Sequence, residues 1–175
     1  MILHIPTFAA LDGGRLMEIY REGNEENARE LWPELAPAEG VARAETDFLD
    51  YLQSSFFIRP GNEYRVLEED GCWKSALRLY PVGEGLYYLE ALETRPECRR
   101  QGCAARLLRG VLRELEESGP FVLRDCVGKA NLPSLRTHES CGFHIAEQNG
   151  VSLLTGETNE YTYGMEYKTE KTSGR

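Results

Sequence analysis

The chain has 175 residues, which is long enough to bury the core of one domain, and its 41% apolar and 28% charged residues are typical of a globular protein. A net charge of −9 argues against nucleic-acid binding, because that function requires a basic surface. The sequence also contains no apolar run of the roughly 18 residues that a transmembrane helix needs.

The cysteines and histidines argue against two further kinds of site. Five cysteines with no C-x-x-C pair predict reduced thiols rather than a disulfide framework. Zinc binding is not expected, because none of the three histidines lies at a ligand spacing from another histidine or from a cysteine pair. Residues 1–14 have no basic leader and no small-residue cleavage site, so we expect no signal peptide and a cytoplasmic location.

The first part of the chain is predicted to form one strand and two helices. ILHIPTF (2–8) predicts a short strand, and helically spaced apolar residues predict a helix over 12–30. The Pro-rich segment 31–40 is predicted to be a connector, followed by a second helix over 45–56. Residues 1–70 contain fifteen acidic residues and six arginines, which indicates a solubilising surface or, alternatively, attraction of a cationic substrate.

The rest of the chain alternates strands and helices. EYRVLEEDG, WKSALRLYPVGEG and LYYLEALETRP read as three strands, and the turn residues between them predict an antiparallel meander. An amphipathic helix is predicted over 103–115, a strand over 121–127 and a short helix between Asn131 and Gly142. HIAEQNGVSLL and EYTYGMEYK predict a closing strand pair. This order predicts an α+β fold around a central mixed sheet.

The start of the helix at Cys103 contains residues that disfavour a helix. Arg99 and Arg100 lie at the positive end of the helix dipole, at a cost of about 0.3–1 kcal/mol each, and Gly102 adds up to about 1 kcal/mol. A phosphate or pyrophosphate would remove the conflict by binding the free N–H groups and the guanidinium groups. The alternative is that both arginines are solvated at a loop–helix junction. The G-x-G-x-x-G and G-x-x-x-x-G-K-[ST] phosphate loops are absent.

Two blocks in a fixed order and spacing carry a family resemblance. RRQGCA (99–104) follows an L-x-x-x-P strand end and fits the pattern [QR]-x-x-G-x-[GA]. NLPSLRTHESCGF (131–143) is similar to N-x-x-S-x-x-x-[YH]-x-x-x-G-F. Together they resemble the GCN5-related N-acetyltransferases (GNAT family). The resemblance covers residues 86–145, and the strand order extends it over about 60–168.

The resemblance implies a GNAT fold and an acetyl-CoA site. The sheet would be mixed, mostly antiparallel and twisted, with splayed fourth and fifth strands and flanking helices. A single domain would span 1–170, with a variable acceptor-side region over 1–60, an acetyl-CoA-binding core over 86–145 and a tail over 171–175. The implied coenzyme-binding residues are Leu92, Thr94, Arg99, Arg100, Gln101, Gly102, Cys103, Ala104, Asn131 and Ser134. The pyrophosphate would lie on backbone amides at the helix start, and Asn131 would hold the coenzyme arm or simply cap its helix.

Amine acetylation requires a base, and the resemblance directs attention to the central strand. We favour Glu90 as the base, with an exposed strand carboxylate as the alternative and Glu93 as a weaker candidate. Strand alternation puts these two residues on opposite faces unless a bulge intervenes.

His138 occupies a position that is more often Tyr in the family. It would either protonate or hydrogen-bond the leaving sulfur, or pack beside the coenzyme. A His in this position also occurs in the phosphinothricin-type branch, which favours small amines or amino acids as acceptors. A nucleophilic Cys141–His138 pair is conceivable, but a small buried thiol is the simpler interpretation.

The resulting hypothesis is an acetyl-CoA-dependent N-acetyltransferase that acts by direct attack in a ternary complex, without a metal. Its partner would be a small-molecule amine, with no nucleic acid or membrane, and the protein would be a monomer or homodimer. One alternative is a non-catalytic acyl-CoA-binding sensor of the same fold. Another is acetylation of a protein N-terminus or lysine, which requires an open groove. The acceptor would be selected by segment 8–58, which contains no diagnostic motif.

Overall fold

The computed structural model describes residues 1–169, so the predicted tail over 171–175 and residue 170 lie outside the described residues. The α-helices of this part are α1 (Gly13–Leu31), α2 (Pro37–Tyr51), α3 (Cys103–Glu117) and α4 (Leu132–Ser140). The strands are β1 (Ile2–Ile5), β2 (Glu63–Glu69), β3 (Cys72–Gly83), β4 (Leu86–Thr94), β5 (Val122–Gly128), β6 (His144–Glu147), β7 (Gly150–Val151), β8 (Thr158–Asn159) and β9 (Thr162–Lys168). None of the helices in residues 1–169 combines the length and apolar character needed to cross a membrane.

Seven strands form one sheet in the order β1-β2-β3-β4-β5-β9-β6. Neighbours are antiparallel except β4 and β5, which are parallel. The predicted mixed, mostly antiparallel sheet is therefore confirmed.

The parallel strands β4 and β5 pair only at one end. Their register joins Leu86 to Val122 and Tyr88 to Arg124, and the pairing stops there. Strand β4 continues to Thr94 while β5 remains paired with β9, so the two strands diverge and open a cleft in the middle of the sheet. The predicted splay of the fourth and fifth strands is confirmed.

Each face of the sheet is covered by a pair of helices and has its own core. Helices α3 and α4 pack on one face, with buried residues such as Leu89, Leu107 and Leu123. Helices α1 and α2 cover the other, with buried residues such as Leu16 and Tyr88. The alternation of Tyr88 and Leu89 between the two cores shows how one strand contributes to both. The result is a three-layer arrangement of helices, sheet and helices.

Two predicted boundaries were wrong. Helix α2 begins at Pro37 rather than near residue 45, because proline at the first helical position has a suitable φ and needs no N–H partner. The predicted closing strand pair is also shorter than expected, since only His144–Glu147 pairs with β9. Strand β7 leaves the large sheet and pairs with β8 instead.

A bulge in β4 overturns the expected alternation of its two glutamates. Ala91 has a φ of 55°, in the left-handed region. Glu90 lies opposite Arg78 and Glu93 lies opposite Ala76, so three residues of β4 match two of β3. Glu90 and Glu93 therefore share the face that α1 and α2 cover. The bulge lies where β4 has already separated from β5.

Candidate active site

The first turn of α3 lacks the usual partners for its backbone N–H groups. Gly102 precedes the helix with a φ of 73° and provides no side-chain cap, and no acidic residue lies in the first turn. Arg100 is also left-handed, with a φ of 61°. Within residues 1–169, the backbone N–H groups of residues 100–105 donate no hydrogen bond. Free N–H groups at a helix N-terminus favour an anion such as a phosphate.

A groove of about 600 Å³, here called the α3 groove, lies beside this turn and is bounded by β4, α3 and α4. It brings together all the predicted coenzyme-binding residues except Gln101, namely Leu92, Thr94, Arg99, Arg100, Gly102, Cys103, Ala104, Asn131 and Ser134. The Gln101 side chain is directed elsewhere, because its Nε2 donates to the Glu97 carbonyl at 3.0 Å. Cys98, Pro133 and Thr137 also line the groove. They were missed because they lie outside the patterned positions of the two blocks.

The two arginines of the predicted anion site have different surroundings. Arg99 forms an ion pair with Glu22 of α1 and another with Glu93 of β4, the latter at 3.3 Å. Its hydrogen bond with Glu22 raises the pKa of Arg99. Within residues 1–169, Arg100 forms no ion pair. Arg100 is therefore the guanidinium that remains available to an anion, while Arg99 also links α1 to the loop before α3.

Asn131 caps α4, which is one of the two roles predicted for it. Its Oδ1 accepts a hydrogen bond from the Ser134 backbone N–H at 3.2 Å. The cap uses only the carboxamide oxygen, and the residue still lines the α3 groove. Capping and a contact to a ligand in the groove are therefore compatible.

His138 is fully buried, with 0% of its side chain exposed, and it does not line the α3 groove. Its Nδ1 lies 2.8 Å from the Ser134 carbonyl, which can only accept, so Nδ1 carries a proton. Its Nε2 lies 3.0 Å from Asp125 Oδ2, an ion-pair distance at which the N–H is not aligned for a hydrogen bond. Burial lowers the pKa of His138, but Asp125 and the Ser134 carbonyl outweigh it, so the pKa is raised. The raised pKa favours the protonated ring, and the contact between His138 and Asp125 holds α4 to β5.

Cys141 is not arranged as a nucleophile. Burial raises the pKa of its thiol, which disfavours the reactive thiolate. Its Sγ lies 3.7 Å from the Ala105 carbonyl, while the nearby His138 is engaged by Asp125. These contacts support the interpretation of a small buried thiol between α3 and α4.

The two candidate bases on β4 are engaged by different partners. Glu90 accepts a hydrogen bond from the Tyr80 hydroxyl at 2.9 Å and lies 3.5 Å from Arg78, and 30% of its side chain is exposed. Glu93 accepts from the Thr94 backbone N–H at 3.1 Å and pairs with Arg99. Glu93 thus belongs to the network around the α3 groove, whereas Glu90 lies among aromatic and charged residues under α1 and α2.

A second cavity of about 360 Å³, here called the α1–α2 cavity, lies on the other side of the β4 bulge. Its lining includes Tyr20, Asn24, Trp32, Phe48, Arg78 and Ala91. The Tyr20 hydroxyl donates to the Ala91 carbonyl at 2.6 Å and so ties α1 to the bulge. Burial raises the pKa of Tyr20 well above its usual value, which keeps this donor protonated. Ala91 lines this cavity and its neighbour Leu92 lines the α3 groove, so the two spaces flank one bulge.

A metal site would require several ligating side chains close together. Among residues 1–169, no group of three or more His, Cys, Asp or Glu side chains is placed to hold a metal ion.

A family model described as the acetyltransferase (GNAT) family matches residues 17–143. The chain belongs to that family. It is therefore an acetyltransferase, and the resemblance seen in the two sequence blocks is confirmed. No curated protein sequence matches the chain.

Solved structures of GNAT enzymes share its fold. The PaiA N-acetyltransferase of Thermoplasma acidophilum, in complex with coenzyme A, has a TM-score of 0.62 at 15% identity, covering 97% of this chain and 99% of that chain. YncA of Salmonella typhimurium, with its cofactor acetyl-CoA, has a TM-score of 0.58 at 16% identity, covering 100% and 96%. Ribosomal-protein-alanine N-acetyltransferase of Brucella melitensis has a TM-score of 0.59 at 21% identity, covering 97% and 99%. At these identities the likeness shows the fold.

Sequence reasoning missed the residues of the α1–α2 cavity. Asn24 and Phe48 come from two helices, Trp32 follows the end of α1, and Arg78 comes from β3, so no local pattern joins them. The one available signal was Arg78 itself, a charged residue within the otherwise apolar run of its strand.

Proposed function

We propose that this acetyltransferase transfers the acetyl group of acetyl-CoA to a small primary amine by direct attack in a ternary complex. The supporting observation is that two cavities flank the β4 bulge, one with an anion-binding helix start and one without. The family supports acetyl-CoA as the co-substrate, and the CoA and acetyl-CoA recorded for PaiA and YncA agree with it.

The α3 groove fits the acyl donor. The free N–H groups of residues 100–105 and the unpaired Arg100 suit a pyrophosphate. Asn131 would contact the arm of the coenzyme with the part of its side chain that does not cap α4. Backbone groups near Leu92 and Thr94 would hold the pantetheine amides, and one N–H there would polarise the thioester carbonyl. An oxyanion donor of this kind contributes about 3 kcal/mol.

The reaction moves two protons away from an ammonium acceptor. Acetyl-CoA supplies the thioester whose acetyl carbon is transferred. The neutral amine nitrogen bonds to that carbon, the C–S bond breaks, and its electron pair stays on sulfur. One proton from the amine reaches the base and the medium, and a second proton balances the thiolate, which leaves as the thiol.

Glu90 is the proposed base. Its partial exposure lets a water molecule reach the carboxylate, so proton transfer through water is consistent with its position. Glu93 is the weaker candidate because its side chain lines the α3 groove and pairs with Arg99, on the coenzyme side of the bulge.

His138 is proposed to position α4 rather than to act as the acid. Its side chain is sealed from the α3 groove and its charge is matched by Asp125. The thiol has a pKa of about 8.5, so the leaving thiolate can take up a proton from the solvent near neutral pH. A structural role for His138 away from the coenzyme therefore fits this geometry better than the acid or than packing beside the coenzyme.

The α1–α2 cavity is the proposed acceptor site. A volume of about 360 Å³ lies at the small end of ligand pockets and fits one small molecule better than a protein segment. This favours a small amine over a protein N-terminus or lysine. Five free cysteines support a reducing cytoplasmic environment.

The test combines thermal shift with thiol release from acetyl-CoA across a panel of small amines. We expect acetyl-CoA to raise the melting temperature and at least one amine to release CoA. A thermal shift without turnover for any acceptor, including peptides, would support the non-catalytic sensor instead. The absence of any thermal shift would contradict both the enzyme and the sensor.

A further inference from the structure

Arg78 is a largely buried cation that the described residues do not satisfy. Its side chain is 15% exposed and lines the α1–α2 cavity. Its guanidinium donates no hydrogen bond within residues 1–169, and its Nε is buried without a partner. One ion pair is present, to Glu90 at 3.5 Å. The rings of Tyr51 and Phe56 lie 5.3 Å and 5.9 Å from the guanidinium carbon and add cation–π contacts.

The neighbouring strand shows how this chain satisfies an arginine that has a structural role. Arg65 on β2 is also buried, with 7% of its side chain exposed. It donates to Glu63 at 2.6 Å and to Glu114, and it lies 2.9 Å from His4 Nε2. Its Nε lacks a partner, as that of Arg78 does, but both of its Nη atoms have polar partners. An arginine buried without hydrogen-bond acceptors is costly, so the difference indicates that Arg78 awaits an acceptor from a ligand.

The same cavity contains a second polar group without a full set of partners. Asn24 is 4% exposed, and its Nδ2 donates only to the weak acceptor Met17 Sδ at 3.3 Å. Its carboxamide oxygen accepts no hydrogen bond within residues 1–169. Leu31, Trp32 and Phe48 give part of the wall an apolar surface, and Asn27 and Asp47 add polar side chains. The cavity therefore combines a cation, a free carboxamide, a carboxylate and an apolar surface.

An α-amino acid matches this combination. A carboxylate would pair with the planar Arg78 guanidinium through two parallel hydrogen bonds. In an α-amino acid the amine and the carboxylate share one carbon atom, so a carboxylate held by Arg78 keeps the amine near Glu90, which pairs with the same guanidinium. The free carboxamide of Asn24 can accept from the ammonium, and the apolar surface suits an apolar side chain.

We propose that the acceptor is an α-amino acid with an apolar side chain and that Arg78 binds its carboxylate. This inference rests on the proposed function, because it names the acceptor of the same reaction. Arg78 is then a substrate-binding residue that determines specificity, and a simple amine of the same shape lacks the group that satisfies it.

The experiment compares amino acids with the amines that differ from them only by loss of the carboxylate. The pairs are L-phenylalanine and 2-phenylethylamine, L-leucine and 3-methylbutylamine, and L-methionine and 3-(methylthio)propylamine. Thiol release gives kcat/KM for each member with the wild-type protein. We expect at least one amino acid to exceed its amine by about tenfold or more, the effect of a hydrogen-bonded charge pair.

Variants assign the preference to Arg78. Arg78→Met should reduce the amino-acid-to-amine ratio to near one, and Arg78→Lys should restore part of it. The exposed Arg59→Met is the matched control and should keep the wild-type ratio. Melting temperature and acetyl-CoA affinity are measured for each variant, so that a loss of folding is recognised.

The outcomes separate this inference from the function on which it rests. Turnover of amines without preference for amino acids would overturn the inference and leave the N-acetyltransferase intact. An Arg78→Met variant that loses both members of each pair equally would also overturn it, because Arg78 would then act only through Glu90. A thermal shift with no acceptor turned over would reject both. If Arg78→Met does not fold, the ratio of kcat/KM for an amino acid to that for its amine in the wild-type protein still tests the inference.

Discussion

The α3 groove and the α1–α2 cavity flank the same bulge, but backbone groups form most of the first and side chains form most of the second. The groove depends on backbone N–H groups and on two left-handed residues, Arg100 and Gly102, over one short stretch of chain. The cavity depends on individual side chains from α1, α2 and β3, such as Asn24 and Arg78. A ligand of the groove would therefore be recognised mainly by the main chain, and a ligand of the cavity mainly by side chains.

This difference implies that the two binding steps can be altered separately. Arg99 is an exception to this separation, because it pairs with Glu22 of α1 and with Glu93 of β4 and so links the two regions. Variants that affect one space should therefore leave the other unchanged, unless they disturb the strands that separate them.

Asp125 follows Arg124, the last residue of β5 that pairs with β4, and it holds α4 through His138, so Asp125→Asn should have the largest effect. We expect it to lower the free energy of unfolding by about 3 kcal/mol near pH 6, because it leaves the buried His138 cation without its anion. Urea unfolding measures this loss. His138→Gln and the double variant complete a cycle that isolates the pair.

The cost of Asp125→Asn should depend on pH. The pKa of His138 is raised in the folded protein, so its pair with Asp125 contributes its full stabilisation below the unfolded pKa of about 6.5. That stabilisation is lost as the pH rises through the raised folded pKa. The difference in unfolding free energy between wild type and Asp125→Asn should therefore shrink from pH 6 towards about pH 9. A difference that stays constant with pH would show that no charged pair between His138 and Asp125 stabilises the protein.

Glu90→Gln should impair the cavity side alone. We expect kcat to fall by about 100-fold through loss of the base, while acetyl-CoA affinity stays unchanged. Glu93→Gln is the matched control and should lower kcat much less, because Glu93 is paired with Arg99. Steady-state kinetics with saturating acetyl-CoA measures both. An equal fall for the two variants would make the assignment of the base wrong.

Arg100→Glu should impair the groove side alone. The dissociation constant for CoA should rise about 30-fold, or about 2 kcal/mol, through loss of a charged hydrogen bond and repulsion of the pyrophosphate. Stability without ligand should change by less than about 0.5 kcal/mol, because Arg100 forms no ion pair within residues 1–169. Titration calorimetry and urea unfolding measure the two quantities. A loss of stability as large as the loss of binding would return Arg100 to a structural role.

Gly102→Ala should have the smallest effect. An added Cβ would lie 3.6 Å from Arg106 Nη1, an ordinary contact, so the expected loss of about 1 kcal/mol comes from the left-handed φ alone. Gly23→Ala in α1 is the matched control, because its Cβ would have no neighbour within 4 Å. That substitution should stabilise the protein by about 0.5–1 kcal/mol. Equal effects of the two substitutions would contradict a conformational requirement at Gly102.

Much of the fold and of the groove could be predicted because the responsible signals are local. The unfavourable charges at Arg99 and Arg100 and the block over 131–143 mark the ends of two helices, and the structure brings both blocks into one groove. Gly142, the predicted end of the short helix, has a positive φ of 94°, as is common for a glycine that follows a helix. The start of α2 was missed because Pro37 was read as part of a connector, although proline also begins helices.

The sequence by itself determined the family, the order of the main strands and helices and the place proposed for the anion. These depend on periodicity, helix ends and backbone dihedrals, which neighbouring residues set. Only the tertiary structure decided which glutamates share a face, since the bulge at Ala91 depends on pairing with β3. It also decided that Asp125 raises the pKa of the buried His138 and that Arg78 donates no hydrogen bond within residues 1–169. Both are results of burial and of charges from distant segments, which no local pattern encodes.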